Sequence, residues 1–367
     1  MSISTLSIGI VGLPNVGKST LFNALLKRQA ALAANYPFAT IEPNIGVVDV
    51  PESRLDRLVQ IVKTDYGSKV GDREIPEKLV PATIKFYDIA GLVKGASQGE
   101  GLGNAFLGHI REVDAIVHVV RAFTDENVIK AGSISPEADI ETIKTELILS
   151  DLQVIEKKLP KLEREAKLEF VSLNKIKVGL NAGKLANQLD LSKEELESVG
   201  EINLLTLKPV IYVYNIDEKD LGTNIARIKE NDVGESIYIS AQIESEIASI
   251  NNVDERKEFL ETLGIKESGL DQIIKKGYSI LGLETFFTIG PKEVRAWTIK
   301  KGSTAPQAAG RIHTDFERGF ISAQVVGYDD LNKFGSEKVA KTRGLVRLEG
   351  KTYIMRDGDV VEFNFSV

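Results

Sequence analysis

The order of apolar and polar positions changes character twice along this chain. In the first part, short apolar runs alternate with segments of helical periodicity, which is typical of a parallel sheet covered by helices. Several of these runs are almost continuous in Val and Ile, as expected for strands that are buried on both faces. The predicted strands are residues 6–11, 45–50, 83–88, 115–121, 210–215 and 236–240.

The interval between the fourth and fifth of these strands has a different pattern. It is charged, rich in Leu and free of strand-like runs, and Ile140, Ile143 and Leu147 keep helical spacing. Ser192, with Glu195 three residues later, fits a capping box that opens a helix. A longer crossover between two strands is the simpler alternative. At this length we instead predict an inserted helical hairpin of coiled-coil type over residues 137–204, kinked or interrupted at Pro160.

The pattern changes again after residue 289, where short apolar runs are separated by Gly, Asp and Asn turns. One short helix is predicted near residues 304–310. The predicted strands of this part are residues 294–298, 320–326, 345–349, 353–355 and 360–365. We therefore predict three parts: an α/β domain of residues 1–136 and 205–289, the insertion of residues 137–204, and an α+β module of residues 290–367 that is large enough to fold alone.

Composition limits the functions open to such a chain. An apolar fraction of 43% and a charged fraction of 27% are those of a soluble globular protein. No apolar run is long enough to cross a bilayer and no leader opens the sequence, so we expect no membrane association and a cytoplasmic location. The chain has no cysteine, which excludes disulfides and thiolate metal sites. Its net charge of −7 argues against broad nonspecific binding of nucleic acid.

The most informative motif lies between the first predicted strand and a predicted helix at residues 20–28. Residues 12–20 read Gly-Leu-Pro-Asn-Val-Gly-Lys-Ser-Thr and fit the pattern Gly-x-x-x-x-Gly-Lys-Ser/Thr. Such a loop wraps its backbone N–H groups around nucleotide phosphates; Lys18 reaches the β- and γ-phosphates, and the Ser19 hydroxyl ligates Mg²⁺. The predicted nucleotide-binding residues of the loop are Asn15, Val16, Gly17, Lys18, Ser19 and Thr20. The chain is therefore predicted to bind a nucleoside triphosphate in a P-loop NTPase domain.

Two further segments fit the magnesium and γ-phosphate side of this site. Asp88 ends a predicted strand about seventy residues after the loop and opens an Asp-x-x-Gly pattern. Its carboxylate is predicted to position Mg²⁺, while the Gly91 N–H meets the γ-phosphate. A surface turn is the alternative, but this spacing is typical of the GTPase-like branch of P-loop proteins. In the loop after the first helix, Thr40 is predicted to close on Mg²⁺ when the γ-phosphate is present.

Position 92, directly after Gly91, is informative because Leu92 stands where Ras-type enzymes carry the Gln that orients the attacking water. Only three histidines exist in the chain. His118 lies within an apolar strand and is interpreted as packed core. His109 follows a glycine-rich stretch after Leu92, and we predict that this loop histidine swings toward the γ-phosphate. A surface or helix-capping role for His109 is the alternative.

The nucleotide base is predicted to be recognised by the loop that begins at the end of the strand at residues 210–215. Asn215, Ile216 and Glu218 stand where guanine-specific proteins carry Asn-Lys-x-Asp. Glu218 is one methylene longer than the Asp that accepts two hydrogen bonds from guanine. A pocket that leaves the polar groups of a base without partners binds that base much more weakly. Adenine is therefore predicted to be preferred over guanine. Ser240, Ala241 and Gln242 match the Ser-Ala-x loop that lies behind the base.

Together these residues resemble the YchF subfamily of Obg-like ATPases. The resemblance is carried by residues 15–20, 35–40, 88–93, 101–111 and 215–218, and residues 312–321 resemble the family's TGS domain, a ubiquitin-like β-grasp module. It covers essentially the whole chain. It implies a Mg²⁺-dependent hydrolase that prefers ATP to GTP, carries a coiled-coil insertion and associates with ribosomes. It also implies that His109 acts in hydrolysis, and that Asn15 matches the residue that helps hold K⁺ in related potassium-stimulated GTPases.

Two alternatives stay open at this point. One is a conventional GTPase of ribosome assembly that tolerates Glu218. The other is a scaffold with negligible turnover, in which the hairpin and the C-terminal module bind RNA or protein and the nucleotide sets their orientation. Basic residues that would line an RNA-facing surface of the C-terminal module are Lys300, Lys301, Arg311, Lys341, Arg343 and Arg347.

Overall fold

The predicted alternation of strands and helices is present in a computed structural model that describes residues 6–33, 44–70, 73–89, 91, 102–124, 135–162, 167–221 and 234–366. In chain order the strands are β1 (Ser7–Val11), β2 (Ile45–Asp49), β3 (Lys69–Val70), β4 (Arg73–Glu74), β5 (Lys78–Val80), β6 (Thr83–Asp88), β7 (Ala115–Arg121), β8 (Val210–Asn215), β9 (Glu235–Ile239), β10 (Leu283–Thr288), β11 (Glu293–Lys300), β12 (Phe320–Gly327), β13 (Arg347–Glu349) and β14 (Asp359–Phe365). The helices are α1 (Lys18–Ala33), α2 (Arg54–Tyr66), α3 (Leu102–Glu112), α4 (Pro136–Leu162), α5 (Leu168–Asn181), α6 (Lys193–Val199), α7 (Ala241–Ile247), α8 (Val253–Thr262), α9 (Gly269–Ile280), α10 (Ala305–Ile312), α11 (Thr314–Arg318), α12 (Tyr328–Phe334) and α13 (Glu337–Thr342).

The first sheet has six strands in the order β2-β6-β1-β7-β8-β9. Strand β1 pairs in parallel with β6 and β7, and β7, β8 and β9 continue the parallel pairing. Every residue of β1 and of β7 is buried, which explains their unbroken apolar sequence. The predicted α/β fold class is confirmed, and the predicted strands of this part match the observed ones to within one residue at either end.

The insertion is helical, as predicted. Helix α4 packs against α5, and α5 packs against α6, around buried residues that include Ile155, Leu173 and Ile176. Ser192 and Glu195 form the expected reciprocal cap, because the Glu195 N–H donates to the Ser192 hydroxyl (3.2 Å) and the Ser192 N–H donates to the Glu195 carboxylate (2.7 Å). Pro160 does not interrupt α4, which continues to Leu162.

The second six-stranded sheet has the order β13-β12-β14-β10-β11-β5. Its first two strands in the module, β10 and β11, form an antiparallel hairpin, and β14 lies between β10 and β12. With α10 packed on β11 and β12, this is the strand order of a β-grasp module. The predicted strand at residues 353–355 is wrong: only Ile354 forms an isolated bridge there, to Thr304.

The strands of this second sheet come from two distant parts of the chain. The described residues form two compact units, one of residues 6–48 and 85–273, the other of residues 49–84 and 274 onward. In the second unit, β5 pairs in parallel with β11, and α2 contacts β11, α12 and α13. Strand β10 also joins this sheet ahead of residue 290, where the predicted module begins. The predicted three-part division of the chain stays a prediction.

Candidate nucleotide-binding site

The predicted phosphate loop connects β1 to the first turn of α1. Asn15 and Gly17 both have left-handed backbone conformations, with φ angles of 63° and 96°. A Cβ atom at Gly17 would lie 2.3 Å from Nδ2 of Asn215, so no side chain fits there. A loop bent in this way turns consecutive N–H groups toward one point, and the start of α1 at Lys18 adds the positive end of a helix dipole. The loop therefore has the form that phosphate binding needs.

Lys18, Asp88 and Gly91 lie together at this loop. The register of β1 with β6 places Ile10 beside Asp88, so the Asp88 carboxylate lies at the end of the sheet that carries the loop. The Lys18 ammonium pairs directly with that carboxylate, and both side chains are largely buried. At Gly91 a Cβ atom would lie 3.4 Å from the Gly12 carbonyl oxygen, so this glycine also approaches the loop closely.

The oxygen-bearing side chains near the loop fit a magnesium ion. Ser19 is exposed in the first turn of α1 and directly follows Lys18, whose ammonium contacts the Asp88 carboxylate. Mg²⁺ is usually held by one or two protein oxygens together with phosphate oxygens and waters. In the part of the chain that the structure describes, no group of three or more His, Asp or Glu side chains could hold a metal alone. Thr40 lies outside the described residues.

Asn215 connects the phosphate loop to the predicted base loop. Its buried side-chain amide donates to the Val16 carbonyl (3.0 Å), and its side-chain oxygen accepts from the Ala241 N–H (2.9 Å). The next residue, Ile216, donates its N–H to the Ile239 carbonyl (2.7 Å). The ends of β8 and β9 are thereby fixed beside the loop, which brings the predicted residues of both motifs into one site.

The other predicted base-loop residues differ in exposure. The Ile216 side chain is only 2% exposed and packs with Tyr212 and Tyr214, so it belongs to a core cluster. Glu218 is exposed at the start of the 3-10 turn Glu218–Asp220. In the second part of the base loop, Ser240 caps α7 by accepting from the Ile243 N–H (3.5 Å), and Gln242 is exposed.

His109 lies on a helix and not in a loop, so that part of the sequence analysis was wrong. Helix α3 begins at Leu102 and buries Phe106, Leu107 and Ile110, while the His109 side chain is exposed on the opposite face. Its proposed swing toward the phosphates is untested, and Leu92 lies outside the described residues. His118 is buried in β7, and burial lowers its pKa to about 3, as expected for a core residue that stays neutral.

Two carboxylates support this part of the site. Asp217 accepts two hydrogen bonds from Thr124, at the exit of β7. Glu244, on α7, is buried and accepts the N–H groups of Gly269 (2.6 Å) and Leu270 (3.1 Å) at the start of α9. Burial raises the pKa of Glu244 to about 7. Sequence reasoning missed Glu244, for which the available signal was an acidic residue within an apolar helix face. Asp217 stands out in the sequence as an acid at the variable third position of the base motif.

This glycine-bent loop, the lysine–aspartate pair and the asparagine that bridges to the base loop define a P-loop nucleoside triphosphatase domain. Residues 7–158 match the family model described as a 50S ribosome-binding GTPase, and residues 283–366 match the YchF GTPase C-terminal model, described as a protein of unknown function. The chain belongs to the YchF family.

Relatives of this family match the chain over nearly its full length. The "Ribosome-binding ATPase YchF" of Bacillus subtilis is 50% identical over 99% of this chain and 100% of the relative. The protein of the same name from Pasteurella multocida is 50% identical over 98% of this chain and 99% of the relative. A solved structure of the Schizosaccharomyces pombe YchF GTPase superposes with a TM-score of 0.85 at 39% identity, covering 98% of each chain. Among the described helices, none combines the length and apolarity that crossing a membrane requires.

Proposed function

We propose that the protein is a Mg²⁺-dependent hydrolase that converts ATP to ADP and phosphate, binds GTP more weakly, and acts in the cytoplasm as a nucleotide switch on ribosomes. The observation that carries this proposal is the geometry of the phosphate loop, in which Lys18 pairs with Asp88 while Asn15 and Gly17 take left-handed backbone conformations. The names of the relatives, which are ribosome-binding ATPases, support both the activity and the partner.

The chemistry of such a site is mainly electrostatic. Lys18 and the backbone donors of the loop would stabilise the charge that develops on the transferred phosphoryl group. Ser19, Asp88 and Thr40 would hold Mg²⁺, which would supply positive charge to neutralise the phosphate oxygens. His109 is proposed to assist the attack of water, because Leu92 has no hydrogen-bonding group for that purpose. Asn15 is the residue that would hold a K⁺ ion, if hydrolysis depends on one.

The preference for adenine is supported by the length of the Glu218 side chain and by the hydrogen bonds of Asp217, the two acids at the base loop. A guanine-specific site needs a free carboxylate at a fixed distance from the base, and the Glu218 side chain is one methylene too long for that position. Asp217 is engaged by Thr124 and so is not free to take over the contact. A site without a well-placed acceptor pair loses its advantage for guanine.

The decisive experiment compares the dissociation constants of ATP and GTP by calorimetry, together with their turnover numbers. We expect tighter binding and faster turnover of ATP, and expect Glu218→Asp to shift the preference toward GTP, whereas Glu218→Gln does not. Ile216→Lys is a poor companion change because it would place a charge in a core cluster. A wild-type protein that favours GTP would establish the conventional GTPase instead.

RNA binding through the C-terminal module is a further part of the proposal. Three of the six basic residues are engaged within the module: Arg311 donates to the Thr298 carbonyl (2.9 Å), Lys341 pairs with Glu337 (3.0 Å), and Arg347 pairs with Glu349 (3.1 Å). Exposed Lys300 and Lys301 are therefore the better candidates for an RNA contact, together with Arg343, whose guanidinium lies over the Phe334 ring and keeps its charge. Replacing these three by Glu should weaken ribosome association in a salt-dependent way without changing ATP affinity.

A further inference from the structure

The C-terminal end of α3 is bonded to the helical insertion. Arg111 donates to the Asn203 carbonyl (3.2 Å) and to the Ser150 hydroxyl (2.9 Å), and the Asn203 side-chain amide donates back to the Arg111 carbonyl (2.8 Å). Asn203 sits in a left-handed conformation, with a φ of 52°, which turns its side chain and its carbonyl toward the same helix end. The contact is therefore reciprocal, and it joins segments that are 92 residues apart in sequence.

A buried lysine completes this contact. The Lys208 ammonium donates to the carbonyls of Arg111 (3.1 Å) and Val113, and to the side-chain oxygen of Asn203 (3.0 Å). The last carbonyls of a helix have no partner within the helix, and a cation placed there satisfies them and opposes the negative end of the dipole. We call Arg111, Asn203 and Lys208 the α3 clamp.

The segment that supplies two of these residues is itself fixed to α4. Asp151 is fully buried and accepts the N–H groups of Leu205 (3.0 Å) and Thr206 (2.8 Å) and the Thr206 hydroxyl (2.7 Å). Asp151 directly follows Ser150, which receives Arg111. Asp151 thus fixes the segment that runs from Asn203 to Lys208, and the clamp cannot loosen without disturbing these buried bonds.

We infer that Arg111, Asn203 and Lys208 are positioning residues, which hold the last turn of α3 so that His109 keeps its place for hydrolysis. The inference rests on the proposed role of His109. His109 lies two residues before Arg111, within the turn that the clamp holds, and helix ends fray when their carbonyls lack partners. A displacement of about 1 Å in a reacting group costs on the order of 100-fold in rate. Turnover should therefore depend on the contact between α3 and the residues that hold its last turn.

The test uses Asn203→Gly, which removes the amide and keeps a backbone that favours the left-handed conformation. We expect kcat for ATP to fall about tenfold while the ATP dissociation constant changes less than twofold. Arg111→Lys, which keeps the charge and loses the forked donor, should lower kcat in the same way and serves as the second variant if Asn203→Gly does not fold. Asn181→Gly, at the exposed end of α5, is the matched control and should leave kcat unchanged.

A readout at His109 itself separates positioning from general destabilisation. The chain has only three histidines, so their imidazole NMR signals can be assigned by substitution. Asn203→Gly should shift or broaden the His109 signal and leave those of buried His118 and of His313 in place. In the His109→Ala background, Asn203→Gly should cause no further loss of kcat.

The possible failures are distinguishable. If His109→Ala turns over at the wild-type rate, the proposed role of His109 fails and the inference falls with it. If His109→Ala is slow but Asn203→Gly and Arg111→Lys are as fast as wild type, only the inference is overturned. A loss that multiplies with that of His109→Ala also overturns it, because the clamp would then act elsewhere.

Discussion

Thr124 donates two hydrogen bonds to one carboxylate oxygen of Asp217, from its N–H at 3.1 Å and from its hydroxyl at 2.7 Å. The pair ties the exit of β7 to the residue next to Glu218, across 93 positions of sequence. It fixes the position of one oxygen of this acid at the base loop.

Removing the Thr124 hydroxyl should therefore disturb base recognition. Thr124→Val keeps the shape of the side chain and loses one hydrogen bond to a charged group, which is typically worth about 1.5–3 kcal/mol. We expect ATP binding to weaken and the ratio of GTP to ATP affinity to rise, because the Asp217 carboxylate is then held by the N–H of residue 124 without the hydroxyl. Calorimetry with both nucleotides measures this, and Thr124→Ser should retain wild-type affinities. Identical selectivity in Thr124→Val would show that Asp217 has no part in excluding guanine.

Gly17 should not tolerate a methyl group. In Gly17→Ala the new Cβ atom would meet the Asn215 amide at 2.3 Å, and the φ of 96° disfavours any side chain. We expect loss of the bond between Asn215 and Val16 and at least a roughly tenfold loss of ATP affinity, equivalent to about 1.4 kcal/mol. Gly200→Ala is the control, since nothing lies within 4 Å of its Cβ position. Unchanged ATP binding by Gly17→Ala would contradict the described loop.

Stability should depend on pH through Glu244. Burial raises the folded-state pKa of this carboxyl to about 7, above the ordinary value of 4.5 that it takes in the unfolded chain. Its contribution to stability is therefore fully present below about pH 4.5 and is lost as pH rises through 7. Relative to Glu244→Gln, the free energy of unfolding of the wild type should fall by roughly 1–3 kcal/mol across this window. Urea unfolding at several pH values measures it, and parallel curves for both proteins would refute the assignment.

Deletion of residues 290–367 should damage more than the deleted module. Phe286 and Phe287 of β10 are 0% exposed, and Leu58 and Ile61 of α2 are buried in the same unit. Uncovering each such side chain costs about 1.5–3 kcal/mol, so the truncated chain should aggregate. Size-exclusion chromatography and thermal unfolding test this expectation. The substitution of Lys300 and Lys301 by Glu should leave a monodisperse, folded protein, and is the sounder way to probe the module.

The sequence predicted those features that local pattern controls. The parallel strands were visible because β1 and β7 are buried on both faces, and the cap at Ser192 because its partner Glu195 is three residues away. Strand β10 was missed because its sequence, Leu-Glu-Thr-Phe-Phe-Thr, is neither a continuous apolar run nor a regular alternation of apolar and polar residues.

The features that the sequence did not predict depend on contacts between distant segments, which have no local sequence pattern. The pairs Thr124–Asp217 and Arg111–Asn203 join segments more than 90 residues apart, and no spacing rule connects them. The glycines before His109 suggested a loop, but Phe106, Leu107 and Ile110 bury one face of a helix there, and tertiary packing outweighed the local preference.

The edge position of β5 has a consequence for how the chain is made. Lys78 pairs with Glu293, so this strand emerges about 215 residues before its partner does. Throughout that interval the nascent polypeptide carries α2 without β11, α12 and α13, which contact this helix in the folded chain. The second unit can therefore close only after β11 and the elements that follow it have been synthesised.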